Sequence, residues 1–67
     1  MNLDLLFEFT DGRESYTVTF EEMAGVPIPV VGDFVSPVEG EYKILTRTFA
    51  YSDDGFQINY RCEPAKL

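Results

Sequence analysis

The chain has 67 residues, with 12 Asp and Glu against 5 Lys and Arg and no His, for a net charge of −7. That length supports one small domain over residues 1–67 and leaves little chain to build and roof an enzyme site. The acidity argues against direct nucleic-acid binding, because a surface that tracks phosphates has to be basic.

Apolar residues make up 45% of the chain and aromatic residues 15%, a globular composition with large side chains for a small core. No apolar run approaches the roughly 20 residues of a membrane span. The start, Met1-Asn2-Leu3-Asp4, lacks the basic-then-apolar order of a secretory leader. Cys62 is the single cysteine, so no intrachain disulfide can form. A domain of this size without a disulfide fits a reducing, cytoplasmic setting.

The dominant hydrophobic period is two. Leu3, Leu5, Phe7 and Phe9 alternate with Asp4, Leu6 and Glu8, which predicts a half-buried strand. Asp11-Gly12 predicts a tight hairpin turn, and Tyr16, Val18 and Phe20 continue the alternation beyond it. With Asp11-Gly12 as the loop, Phe7 faces Tyr16, Leu5 faces Val18 and Leu3 faces Phe20, so all six fall on one face.

The pattern breaks after Phe20. Glu21 to Gly25 has the composition of one short helical turn closed by glycine. Pro27 and Pro29 then force an extended path outside any ladder. Met23, Val26 and Ile28 are apolar residues in this connection, placed to cap one end of the core. A short strand is predicted at about 34–36, and Glu39-Gly40 as a tight turn would set Val35 against Ile44 and Phe34 against Leu45. The next strand, about 41–51, changes its apolar face: Tyr42 and Ile44 lie on one side, Leu45, Phe49 and Tyr51 on the other. A strand of that kind suits a bend between two sheets. Asp53-Asp54-Gly55 marks the last hairpin, and an even loop puts Phe49 and Tyr51 on the face of Phe56, Ile58 and Tyr60. Pro64 ends the last strand. The expected fold is all-β: five strands in a small closed barrel, with one possible helical turn at residues 21–25.

Two stretches carry a family resemblance. One is Ile28-Pro29-Val30-Val31-Gly32-Asp33-Phe34-Val35; the other runs Gly40-Glu41-Tyr42-Lys43-Ile44 and on to Arg47-Thr48-Phe49-Ala50-Tyr51. Together they cover about half the chain and resemble a pattern in small bacterial and phage proteins of SH3-like barrel type. The resemblance implies a fold and carries no catalytic residue with it.

Chemistry is constrained by what is missing. Without His there is no imidazole base or imidazole metal ligand. One Cys cannot build a structural zinc site, and the five glycines are scattered at turns and form no phosphate-binding loop. Asp4 and Glu8 share a strand face about 13 Å apart, too far for a glycosidase pair. The reading is therefore non-enzymatic, with no cofactor and no metal.

Three features could carry binding: the charge asymmetry, a set of Arg and aromatic residues, and Met23, Val26 and Ile28 of the 21–29 loop, which would make a docking or dimer patch if exposed instead of capping the core. Residues 1–41 hold nine acids and one base, whereas residues 42–67 hold three acids and four bases. Glu21, Glu22, Asp33, Glu39 and Glu41 are the acidic candidates for steering a basic protein partner. In the sharpest version the acidic surface mimics nucleic acid and inhibits a host defence protein. Arg47, Phe49 and Tyr51 are candidate anchors, since Arg and aromatic residues dominate interface energetics. Competing expectations are that Phe49, Tyr51 and Tyr60 are core, and that a barrel-end pocket takes a small ligand or peptide. A homodimer is also possible, because a chain this short buries little surface alone.

Overall fold

The computed structural model describes residues 2–22 and 24–65. They form one five-stranded sheet: β1 (Asn2–Phe9), β2 (Tyr16–Phe20), β3 (Phe34–Val35), β4 (Tyr42–Ser52) and β5 (Gly55–Pro64), in the order β2-β1-β5-β4-β3. The sheet curls into a half-barrel and does not close, because β2 and β3 remain edges. None of the helices is long and apolar enough to cross a membrane, among the described residues.

The alternation in the first two strands sets their pairing as expected. Leu3 lies opposite Phe20, Leu5 opposite Val18 and Phe7 opposite Tyr16. The tight Asp11-Gly12 turn does not form. Pairing stops at Phe7–Tyr16, and β1 continues alongside β5 to Phe9, leaving residues 10–15 as a wider loop. Within residues 10–15 only Gly12 has positive φ, so the two successive positive-φ residues of a type I′ turn are missing. The loop is drawn instead toward residues 36–41: the Tyr42 hydroxyl donates to Asp11 Oδ2 at 2.9 Å and Arg13 Nη1 donates to the Glu39 carbonyl at 2.6 Å.

The pairing that organises the sheet is parallel. β1 lies beside β5 from Asn2–Gly55 to Phe9–Cys62, in unbroken register. The two strands farthest apart in sequence are thus neighbours inside the sheet, and their pair, the only parallel one among the described residues, stands between two antiparallel ones. Their inward residues make the core: Leu3, Leu5 and Phe7 from β1, Ile58, Tyr60 and Cys62 from β5, joined by Tyr42 and Ile44 from β4. Phe7 stacks on Tyr60 with ring centroids 5.1 Å apart, and Phe9 tilts against Tyr42 at 4.6 Å. Each of these large side chains stabilises the fold by about 1.5–3 kcal/mol through burial.

The connection from β2 to β3 lies over this core. Val26 of this connection packs against it, as do Val35 of β3 and Val38 of the next loop, and the Tyr60 hydroxyl donates to the Pro29 carbonyl at 2.8 Å. The helical turn expected at residues 21–25 is absent: the described positions there are a bend and a turn, with Gly25 at φ 79°, and Met23 lies outside the described residues. One isolated turn fixes three residues for a single hydrogen bond, and nothing offsets that cost here. Val26 is half-buried as a cap, whereas Ile28 is exposed.

β3 also differs from expectation. Phe34 faces Lys43 and Val35 faces Tyr42, two residues off the predicted register. The Glu39-Gly40 tight turn is replaced by a longer loop over residues 36–41, closed by Ser36 Oγ donating to the Gly40 carbonyl. A shift of two keeps Val35 on the core face, but leaves Phe34 exposed rather than enclosed.

The change of face along β4 has a local cause. A β-bulge lies between Ile44, which faces Cys62, and Thr46, which faces Arg61. The extra residue, Leu45, flips the alternation, so Tyr42 and Ile44 point inward before it and Arg47, Phe49 and Tyr51 after it.

Gly55 starts β5 at φ 150° and directly abuts β1. A Cβ there would sit 1.9 Å from the Asn2 carbonyl oxygen. Gly55→Ala is expected to cost several times the ~1 kcal/mol typical of a left-handed glycine replacement, because the interior ladder must shift. Gly12→Ala, with no atom within 4 Å of the added carbon, provides the comparison. Urea unfolding midpoints of the two variants should separate clearly, with Gly55→Ala the lower.

Candidate functional site

The hairpin of β4 and β5 turns through Asp53 and Asp54, with Ser52 opposite Gly55. This even loop places Phe49 opposite Ile58 and Tyr51 opposite Phe56, the register predicted from the sequence. The expectation that both aromatic residues are core does not hold. Phe49 is 42% exposed and Tyr51 81% exposed, whereas Tyr60 is buried. They share the core face of the sheet but extend past the part that the β2–β3 connection covers.

These exposed side chains form one run. Arg47 Nη1 reaches the Pro29 carbonyl at 3.4 Å, and its guanidinium lies 5.0 Å from the Phe49 ring centroid. Phe49 and Tyr51 each tilt against Phe56, at 6.2 and 6.0 Å. The three candidates Arg47, Phe49 and Tyr51 are therefore brought together on one short rim. Ile28, Val30, Val31 and Phe34 are further exposed apolar residues of the chain.

The backbone of this rim is open as well. β3 pairs only with Tyr42 and Lys43, and Gly32 and Asp33 extend that contact to Ile44. From Thr46 to Ser52 the outer side of β4 meets no strand among the described residues. A two-residue hairpin makes Ser52–Gly55 the hydrogen-bonded closing pair. Thr46, Thr48, Ala50 and Ser52 consequently turn their backbone groups to β5. Arg47, Phe49 and Tyr51 turn theirs to the open side.

The acidic candidates are not gathered on one face. Glu21 and Glu22 follow β2, whose Phe20 lies opposite Leu3. Asp53 and Asp54 precede Gly55, which lies opposite Asn2, and the Asn2 N–H donates to the Asp54 carbonyl at 2.8 Å. These four acids share one end of the sheet. Glu39 and Glu41 sit with Asp11 and Glu14 at the other end, about 23 Å away along eight residues of strand. Asp33 stands apart, its Oδ2 accepting from the Val30 N–H at 2.9 Å. The split follows from the parallel pairing, which the segment charges could not reveal.

Among the described residues no group of three or more Cys, Asp or Glu side chains is arranged to hold a metal ion. A shallow cleft of about 290 Å³, open to solvent, is lined by Asn2, Asp4, Ser52, Asp54 and Gln57 together with Tyr51 and Phe56.

The titratable groups that depart from ordinary behaviour are structural. The Arg13 N–H, 3.1 Å from Asp11 Oδ1, and the Tyr42 hydroxyl hold the Asp11 carboxyl below its usual value. Burial raises Tyr60 above 10.0 and Cys62 above 9.0. Both raised groups resist ionisation while folded, so the stability they carry is complete below those values and declines as pH rises through the folded-state pKa. Tyr60→Phe should lower neutral-pH stability by about 1 kcal/mol through loss of the bond to Pro29 and flatten the decline above pH 10, read from urea unfolding between pH 7 and 11. The Cys62 thiol has no exposed surface, so an aromatic disulfide reagent should react with it only at the rate of unfolding, and at once in denaturant.

Compared with protein-family models, curated proteins and solved structures, the chain matches none.

Proposed function

We propose that this chain is a non-enzymatic protein-binding module whose contact surface is the Arg47–Phe49–Tyr51 rim. The observation that carries the reading is two exposed aromatic residues beside the part-buried Arg47, on a stretch of β4 that among the described residues is paired along one side only. Aromatic residues with arginine are the usual energetic anchors of interfaces, and an open strand edge supplies main-chain hydrogen bonds in addition. The rim is preformed, so binding costs little ordering. A net charge of −7 steers a basic partner toward the molecule and disfavours nucleic acid and anionic membranes. The free, buried Cys62 fits a cytoplasmic setting.

The small-barrel resemblance is kept here as a proposal about architecture. Five strands curled into one half-barrel sheet in a chain of this length support it, and the parallel β1–β5 ladder departs from a barrel whose neighbours are all antiparallel.

A second reading is favoured by the shared position of Glu21, Glu22, Asp53 and Asp54 at one end of the sheet. There the protein would act as an acidic mimic of nucleic acid, filling the basic channel of a host defence protein. The two readings use different residues. Phe49→Ser with Tyr51→Ser removes the anchors, whereas Glu21→Lys with Glu22→Lys reverses the acidic end.

The test is affinity capture from the source cell, followed by titration of whatever partner is retained. The double serine variant should keep the wild-type urea midpoint and bind about 30-fold more weakly or worse, the loss expected of interface anchors. The double lysine variant should chiefly slow association. Equal retention by the serine variant, with loss in the lysine variant, would overturn the rim and favour the acidic end.

A further inference from the structure

The open edge of β4 has a property beyond exposure: it is complementary to itself. Two features bound it. Toward the start of β4, Ile44 is already engaged, its N–H donating to the Asp33 carbonyl and its own carbonyl accepting from Gly32, both at 3.0 Å. Toward the end, the chain turns at Asp53. The free stretch is Thr46–Ser52, and its middle residue is Phe49.

Only Arg47, Phe49 and Tyr51 offer backbone groups to an incoming strand there. An antiparallel copy of the same stretch, related by a twofold axis at Phe49, offers the same three residues. Phe49 then faces Phe49 of the second copy, and Arg47 faces Tyr51 of the second copy. Every outward N–H and C=O of the three meets its counterpart, giving about six main-chain hydrogen bonds. The arrangement closes on itself as a twofold interface must.

The side chains agree with this register. Arg47, Phe49 and Tyr51 all lie on the core face of the sheet. Across the twofold they meet on that one face as an aromatic pair flanked by two arginine–tyrosine pairs, both favourable kinds of contact. Tyr51, 81% exposed in the single chain, gains a cover.

Charge adds the direction. β4 carries two bases, Lys43 and Arg47, and no acid, while the turn that follows it carries Asp53 and Asp54. An antiparallel copy brings the acidic turn of each chain beside the basic start of the other, with Asp53 of the second copy opposite Leu45. A parallel copy would set like charges together. The opposite edge of the sheet, β2, has five residues and no charge to fix a register.

We infer that the occupant of the β4 edge is a second copy of this chain, joined as an antiparallel β4–β4 pair centred on Phe49 to give one continuous ten-stranded sheet. The inference rests on the rim being a protein-binding surface, but its partner is a copy that also carries −7, so local pairing of Arg47 with the Asp53-Asp54 turn takes the place of the overall steering of a basic partner.

The mass in solution tests it, measured by sedimentation equilibrium at about 0.15 M salt, where charges more than about 8 Å apart are screened. The wild type should have twice the chain mass at about 100 µM. Amide exchange should be slowed about tenfold or more at Arg47, Phe49 and Tyr51 relative to dilute protein, since these face the second copy. Phe49→Lys should be monomeric and folded, with exchange at residues 47 and 51 fast. Arg47→Glu should weaken the dimer, and Arg47→Glu combined with Asp53→Arg and Asp54→Arg should restore it.

A monomer at about 1 mM with fast exchange at all three amides would overturn the proposal. So would a dimer in which those amides stay unprotected and Phe49→Lys has no effect. A monomer that still captures a different protein through Phe49 and Tyr51 would overturn the second copy alone and leave the binding rim intact.

Discussion

The parallel ladder between Asn2–Phe9 and Gly55–Cys62 is the constraint on which the rest depends. It joins β1 and β5 inside the sheet, so six of the eight core side chains come from these two strands. Once they are paired, each has one remaining edge. β2 takes that of β1 through a local hairpin, and β4 takes that of β5 through another. β3 is left as a two-residue addition to the start of β4. The bare stretch of β4 is the consequence: among the described residues no strand covers its outer side from Thr46 to Ser52.

The β-bulge at Leu45 sets what that edge presents. Without the extra residue, the alternation that buries Tyr42 and Ile44 would carry Thr46, Thr48 and Ala50 inward. Phe49 and Tyr51 would stand on the outer face, among Asn59, Gln57 and the threonines of the neighbouring strands. With it, the second half of β4 turns Arg47, Phe49 and Tyr51 to the core face, beyond the cover of the β2–β3 connection. One inserted residue thus decides both which side chains anchor a partner and which backbone groups are free to receive it.

Local features were legible in the sequence to the extent that they were self-sufficient. The β1–β2 register followed from alternation because both strands bury one face against the same core. The β4–β5 register followed from the Asp53-Asp54 turn and the need to match aromatic with apolar residues. The shift of face in β4 was visible as a break in period. What depended on distant partners was not legible. Nothing in Leu3-Asp4-Leu5 or Gln57-Ile58-Asn59 says that these segments lie side by side. The turns at Asp11-Gly12 and Glu39-Gly40 opened because Tyr42 and Arg13 draw their loops together, a contact between residues far apart in the chain. The candidate site divides the same way. The face of Phe49 and Tyr51 was readable, but their exposure was not, since it depends on where the β2–β3 connection ends. The acidic residues were counted correctly by segment, yet the parallel pairing distributes them to opposite ends of the sheet.

The same ladder has a bearing on how the protein comes into being during synthesis. β5 emerges after the other four described strands, and it belongs at the centre of the sheet. The β1–β2 hairpin can form early, but an isolated two-stranded hairpin is marginal in water, and its apolar face waits for residues made about fifty positions later. Contacts that join the two ends of a chain are also the slowest to close. Until the ribosome has released the segment around Cys62, Leu3, Leu5 and Phe7 stay exposed to solvent and to other nascent chains. This small protein therefore passes through translation as an open apolar strand, and its solubility in that interval rests on the acids that accompany it: Asp4, Glu8, Asp11, Glu14, Glu21 and Glu22.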